Sequence, residues 1–347
     1  MSALDDHLQA VVRAGVPGAV AVAAGPGYSW ERAAGVADAE TGAGLTTEHR
    51  FRIGSVTKLF VATVVLQLVG EGALALDDEV GPIAEGVTLR QLLNHTSGLP
   101  DYYDDLDSVM EPFRKDPTHR PTLTPQAALE LVYAKPRLFP AGAGWKYSGG
   151  NYLALGLIVE ETTGVTLREE LRRRIIEPLG LDSTDLPDDV LELAGLACAY
   201  LPPDNPLLPE PGPGLVDVTE RQPFGWGGRG MVSTGRDVAR VLQALLGGDL
   251  LAPSLHAEML TPVVSDWEES ERYGLGIEEV SSLMGLADSP CGSAWGHLGF
   301  AMGHTMVALS SESGDRQVVV CANTLVMSDE TWKAFGLLVW ACYCGLR

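Results

Sequence analysis

A chain of 347 residues, 46% hydrophobic and 20% charged, can bury a large core as one domain or as two lobes sharing a cleft, and it is too apolar for intrinsic disorder. Its formal net charge of -22 excludes nucleic acid and anionic membrane surfaces as partners, because both call for concentrated positive charge. No apolar run reaches the roughly 18 to 20 residues of a spanning helix. The start at Met1 shows no basic segment followed by an apolar core, which reads as a cytoplasmic protein.

In chain order, residues 4–14 place Leu4, Leu8, Val11 and Val12 on one side of an amphipathic helix. The small-apolar run Val16 to Ala23, bounded by Pro17-Gly18 and Gly25-Pro26-Gly27, reads as a buried strand with Tyr28 to Val36 as its hairpin partner. Leu59 to Val69 is an apolar helix, and Thr88 to His95 a short capped one. From Pro100 to Pro140 the chain is rich in Pro, Asp and Tyr, an irregular wall or surface excursion with one helix at Pro125 to Tyr133. Helices follow over Leu153 to Thr163, stopped by Gly164, and over Leu167 to Ile176; residues 201–214 are proline-rich loop. The last third returns to sheet at Tyr273 to Val280, Thr305 to Ser310 and Gln317 to Ala322, and closes with a helix from Asp329 to Tyr343. This predicts an α+β fold, an antiparallel sheet built from both chain ends and flanked by helices. Residues 1–347 form one domain in this reading, with 75–200 as a mostly helical lobe.

Phe51-Arg52-Ile53-Gly54-Ser55-Val56-Thr57-Lys58 sets a hydroxyl and an amine three residues apart where the apolar helix begins, so both lie on one face. A serine needs a base to become a nucleophile, and a desolvated lysine can serve. Three further stretches follow: Leu92-Leu93-Asn94-His95-Thr96-Ser97-Gly98-Leu99, then Tyr147-Ser148-Gly149-Gly150-Asn151-Tyr152, then Trp295-Gly296-His297-Leu298-Gly299-Phe300 on an edge of the returning sheet. With Ser55 and Lys58 these resemble, in order and spacing, the serine DD-peptidases and class C β-lactamases, a family with esterase and acyltransferase members. The resemblance runs over nearly the whole chain and is nearest to secreted DD-carboxypeptidases.

The resemblance implies that Ser55 is acylated, that Lys58 shares its proton, and that Tyr147 relays protons to the leaving group and from the acceptor. It implies that His297 lines the cleft and holds its hydrogen-bond network, with backbone N–H groups of Ser55 and Phe300 binding the oxyanion. No cofactor or metal is called for: the histidines show no ligand spacing on one helix. His95 reads as a hydrogen bonder that fixes its loop. Cys291 and Cys344 fall where secreted DD-carboxypeptidases have a disulfide, and a reducing cytoplasm would leave them as thiols.

The chain departs from the family in its substrate contacts, for which Gly149, Asn151, Leu298, Gly299 and Phe300 are the candidates. Gly149 stands where the family carries an asparagine whose amide grips the acyl-side carbonyl. Leu298 and Phe300 stand where hydroxyl residues bind the substrate's carboxylate, and Glu278 lies in a strand where DD-carboxypeptidases carry arginines. Burying an unpaired carboxylate costs several kcal/mol. The expected substrate is therefore a small-molecule acyl donor, an ester or amide with a non-anionic leaving group, and the acceptor is water or an amine. Ester-to-amide transacylation in natural-product metabolism, for example nucleoside antibiotic assembly, fits that pattern. A D-Ala-D-Ala carboxypeptidase or β-lactamase, and a catalytically silent ligand-binding module, are the alternatives.

Overall fold

The structure, a computed structural model, describes residues 3–102, 124–188, 194–205, 207–208, 214–220, 225–267, 270–283, 287–326 and 328–345. The irregular stretch expected between Pro100 and Pro140 thus lies partly outside the described residues, as does the proline-rich loop at 201–214.

Helix α1 (Ala3–Arg13) is followed by the hairpin β1 (Gly18–Gly25) and β2 (Tyr28–Gly35), then by a short strand β3 (Phe51–Arg52) and helix α2 (Thr57–Gly70). Next come α3 (Leu89–Leu93), α4 (Pro125–Tyr133), α5 (Gly149–Thr163) and α6 (Leu167–Leu171), the last continuing into a π-helical turn at Arg172–Ile176. A four-residue helix α7 (Trp226–Arg229), strand β4 (Val232–Ser233) and α8 (Gly235–Leu246) lead back to the sheet. Its strands are β5 (Val263–Trp267), β6 (Ser270–Tyr273), β7 (Glu278–Val280), β8 (Ala294–Ala301), β9 (His304–Ser310) and β10 (Gln317–Ala322), and α9 (Asp329–Cys344) closes the chain.

The eight-stranded sheet has the order β2-β1-β10-β9-β8-β7-β6-β5 and is antiparallel at every pairing. The amino-terminal hairpin thus joins the last strand, Ala19 opposite Ala322, so both chain ends build one sheet. Alternation divides its faces. Val20, Val22, Trp295, Met306 and Val319 pack with α2 and α8 in one core, whereas Ala21, Leu298, Val307 and Val320 pack with α1 and α9 in the other.

Two expectations are corrected. Tyr273 to Val280 is two strands: the chain turns at Gly274–Gly276, with Gly276 at φ +81°, and sets Tyr273 opposite Glu278. The Trp295 to Phe300 strand is interior, with β9 on one side and β7 along residues 294–296 on the other. A third concerns the cysteines, since Cys291 and Cys344 form a disulfide with Cα atoms 5.8 Å apart instead of lying as thiols. No helix among the described residues is long and apolar enough to cross a membrane.

Beneath the Ser55 turn, His304 ties β3 to β9. Its Nδ1 accepts the Arg52 backbone N–H at 3.1 Å and its Nε2 lies 3.2 Å from the Ala197 carbonyl, an arrangement that requires neutral imidazole with the proton on Nε2. Burial, then the Arg52 charge, lower its pKa from 6.5 to about 3. The unfolded chain therefore binds a proton that the native state refuses, and stability is lost as pH falls from 6.5 toward 3. Urea midpoints measured at neutral and mildly acid pH should fall by less in His304→Gln than in the wild type.

Candidate active site

Helix α2 is apolar all round and buried from Thr57 to Leu66, the pattern of a central rather than a surface helix. It is entered through a 3-10 turn at Gly54–Val56, which Gly54 makes possible by adopting φ +54°. Ser55 lies in that turn at 7% exposure and Lys58 one turn on at 0%. The Lys58 Nζ stands 3.0 Å from Ser55 Oγ and donates to the Gly228 carbonyl at 2.7 Å. Its pKa is held well below the ordinary lysine value, by burial first and then by Arg229, against the opposing charges of Asp101 and Glu278.

Tyr147 precedes α5, whose first turn is capped by Ser148 accepting from the Gly150 N–H at 3.1 Å. Its ring lies 4.8 Å from Lys58 Nζ and 4.3 Å from the His95 ring. Burial, then the Glu278 charge, push the Tyr147 phenol well above its ordinary pKa, and a hydrogen bond to Ser55 works the other way. The surroundings therefore push the two groups apart, Lys58 toward free amine and Tyr147 toward protonated phenol.

Strand β8 closes the site from the other side. A Cβ at Gly54 would fall 2.6 Å from the Phe300 nitrogen, and one at Gly299 would fall 2.1 Å from the Ile53 carbonyl oxygen. The strand thus runs backbone to backbone against the Ser55 turn, bringing side by side the two segments expected to supply oxyanion donors. Along β8 only Ala294 to Gly296 pair with β7, which leaves the remainder of that edge to the turn.

The side chains of β8 correct the expected substrate contacts. His297 and Gly299 face the site, while Leu298 joins the core under α1 and α9 and Phe300 packs edge-on to Trp332 at 5.8 Å. Both side chains thus lie on the face of β8 turned away from the Ser55 turn, and their placement gives no support to the expectation that they disfavour a carboxylate. Asn151 is also withdrawn: Ser97 Oγ donates to its Oδ1 at 2.5 Å and its Nδ2 lies 2.8 Å from His95 Nδ1. His95, at φ 63°, uses the same nitrogen to take the Ser148 N–H at 3.3 Å and so fixes the segment after Tyr147.

His297 stands one layer back, its ring 6.2 Å from that of Tyr147. Its Nδ1 faces two acceptors, Glu278 Oε1 at 2.9 Å and the Leu298 carbonyl at 2.6 Å, so the proton belongs there. The free Nε2 then accepts from the Tyr273 hydroxyl at 3.1 Å. Tyr273 was not anticipated, although its place opposite Glu278 across a glycine-marked turn was the available signal. Gly228, Arg229 and Asp101 carry no motif and are brought in by packing alone.

An eight-stranded antiparallel sheet covered by helices, with a serine–lysine pair at the head of its buried helix, defines a β-lactamase-like protein. A family model described as Beta-lactamase matches residues 4–338, and the chain belongs to that family. It is 29% identical over 270 residues to the lovastatin esterase of Penicillium rubens, covering 69% of this chain and 63% of that protein. The chain thus spans less than two thirds of that relative. Among solved structures, a D-stereospecific amidohydrolase from Streptomyces sp. superposes with TM-score 0.80 at 29% identity, over 99% of this chain and 98% of that one. The D-amino acid amidase of Ochrobactrum anthropi SV3, complexed with D-phenylalanine, gives TM-score 0.84 at 26% identity over 100% of both chains.

Proposed function

We propose that this protein is an acyl-serine enzyme that takes the acyl group of an ester or amide onto Ser55 and passes it to water or an amine. The carrying observation is the buried Lys58 amine 3.0 Å from Ser55 Oγ, in surroundings that disfavour its charge. Lys58 receives the serine proton as Oγ attacks, and Tyr147 delivers a proton to the leaving group. Donors at Ser55 and Phe300 stabilise the tetrahedral oxyanion. His297, fixed by Glu278 and Tyr273, supports this constellation from behind. The names of the relatives give an ester or amides as the substrates of those proteins, and this reading carries that substrate class over.

The case for a non-anionic leaving group rests on Glu278. It is 3% exposed and its charge is felt at both Lys58 and Tyr147, so a leaving carboxylate would approach a buried negative charge. Intact-mass analysis after mixing with p-nitrophenyl butyrate should show one acyl adduct on the peptide carrying Ser55, with turnover lowered about 10⁴-fold or more in Ser55→Ala. Absence of adduct and turnover in the wild type would favour a silent binding module. Efficient release of D-alanine from a D-Ala-D-Ala peptide would overturn the leaving-group assignment. Amide formed when an amine is supplied would assign transfer over hydrolysis.

A further inference from the structure

Tyr147 sits between two backbone N–H groups that one residue accepts. The Lys146 N–H donates to the His95 carbonyl at 3.0 Å and the Ser148 N–H to His95 Nδ1 at 3.3 Å, while the Tyr147 ring lies 4.3 Å from the imidazole. His95 thus holds the tyrosine by the backbone on both sides and by its ring. It does so fully buried and at φ 63°, a left-handed conformation that residues other than glycine rarely adopt. Strain of that kind persists only where the surrounding structure over-determines it.

The protonation of the imidazole follows from its partners. A backbone N–H can only donate, so the Ser148 contact leaves Nδ1 without a proton. Asn151 must then present its amide N–H to the same nitrogen, at 2.8 Å, which leaves its Oδ1 to accept from Ser97 Oγ at 2.5 Å. Ser97 in turn takes the Leu99 N–H at 3.0 Å, so its own proton goes to Asn151. The His95 proton is thereby placed on Nε2, which is buried and has no hydrogen-bond partner among the described residues. Around the imidazole stand the rings of Tyr273, Tyr152 and Trp145, with centroids at 4.8, 5.5 and 6.0 Å. Aromatic faces are electron-rich and suit an N–H better than a lone pair. A second proton on this ring would have to sit on Nδ1, facing two donors. Burial, then Lys58 and His297, work in the same sense and hold the His95 pKa well below 6.5.

Resting on the acyl-serine reading above, we propose that His95 is the positioning residue of Tyr147 and that Asn151 is its tautomer lock, donating to Nδ1 so that the imidazole beside the phenol stays neutral. Both act through Tyr147. Their contribution falls on the step in which Tyr147 hands a proton to the leaving group, so it grows with how much that group needs one.

The test compares ethyl butyrate, whose ethanol leaves only with a proton, with p-nitrophenyl butyrate, whose phenolate leaves without one. His95→Asn keeps an oxygen acceptor in the place of Nδ1 and a residue type that tolerates positive φ, but removes the ring beside Tyr147. It should lower kcat/KM for ethyl butyrate about 10- to 100-fold more than for p-nitrophenyl butyrate, the scale of a misplaced catalytic group. Asn151→Asp, whose carboxylate can only accept, should draw a proton to Nδ1 and give the same selective loss. In the wild type, the ring nitrogen NMR shifts of His95 should show the neutral Nε2–H tautomer across about pH 5 to 8, where histidines ordinarily titrate. A proton on Nδ1 in that range overturns the lock whatever the variants do, and an equal loss on both esters overturns the positioning role. Turnover of p-nitrophenyl butyrate by the wild type separates the two levels: if it fails, the acyl-serine reading falls; if it succeeds and the two esters respond alike, only the role of His95 falls.

Discussion

Lys58→Met is expected to slow acylation of Ser55 by about 10²- to 10⁴-fold, the range of a positioned general base. The methionine matches the lysine stem in length and apolar character, and the site is already dry, so the fold should persist. The substitution leaves the Gly228 carbonyl without its donor, which costs about 1–3 kcal/mol, and removes a buried amine whose desolvation opposed folding. These terms offset each other in stability but not in rate. In the proposed mechanism Lys58 acts as the free amine, so wild-type acylation should rise with pH along a limb whose midpoint lies below the usual lysine value of 10.5, and the limb should vanish in the variant. Stability carries a matching signature. Between the folded pKa and 10.5 the unfolded chain binds the extra proton, so wild-type stability rises with pH across that window, and the penalty of the buried charge is fully present below it. Stopped-flow release of p-nitrophenol against pH, paired with urea midpoints, measures both. An unchanged acylation rate in Lys58→Met would remove the lysine from the mechanism.

Much of this site was legible because its parts obey local periods. Ser55 and Lys58 meet because three residues make nearly one helical turn, and Tyr147 follows from the Ser148 cap that starts α5. The same reasoning, applied to β8, would have turned Leu298 and Phe300 away from the cleft, since residues alternate across a strand and His297 was already assigned inward. The resemblance to a family motif drew the whole stretch into the site and overrode that alternation. Tyr273 was lost because a run ending in Glu278-Glu279-Val280 read as one strand, although Gly274 and Gly276 were the break signals within it. Asp101 accepts the Gly149 N–H from 48 positions away, and neither residue specifies the other. Their meeting depends on how the loop after α3 lies across α5, a tertiary fact with no local pattern.

Gly299→Ala should cost activity out of proportion to stability, and the strand that carries it supplies its own control. The added methyl would sit 2.1 Å from the Ile53 carbonyl oxygen, closer than any real contact, and the neighbour is backbone that cannot rotate away. Strand β8 and the Ser55 turn must therefore part. Oxyanion donors work at about 2.7–3.1 Å from the developing charge, and removing one such donor costs about 10²- to 10³-fold in kcat. Overpacking of this kind costs about 1–3 kcal/mol in stability. Leu298→Ala, one residue away, does the reverse. It empties a buried site under α1 and α9, costing about 2–5 kcal/mol, while the backbone of Gly299 and Phe300 stays against the turn. Steady-state kinetics and thermal melts of the two variants side by side should show a large fall in kcat with modest destabilisation for Gly299→Ala, and the opposite balance for Leu298→Ala. Equal losses of kcat in both would mean that the strand contributes general rigidity, and Phe300 would lose its place as an oxyanion donor. The predicted asymmetry follows from alternation alone, because His297 and Gly299 lie on the face of β8 turned to the proposed site and Leu298 lies on the face packed under α1 and α9.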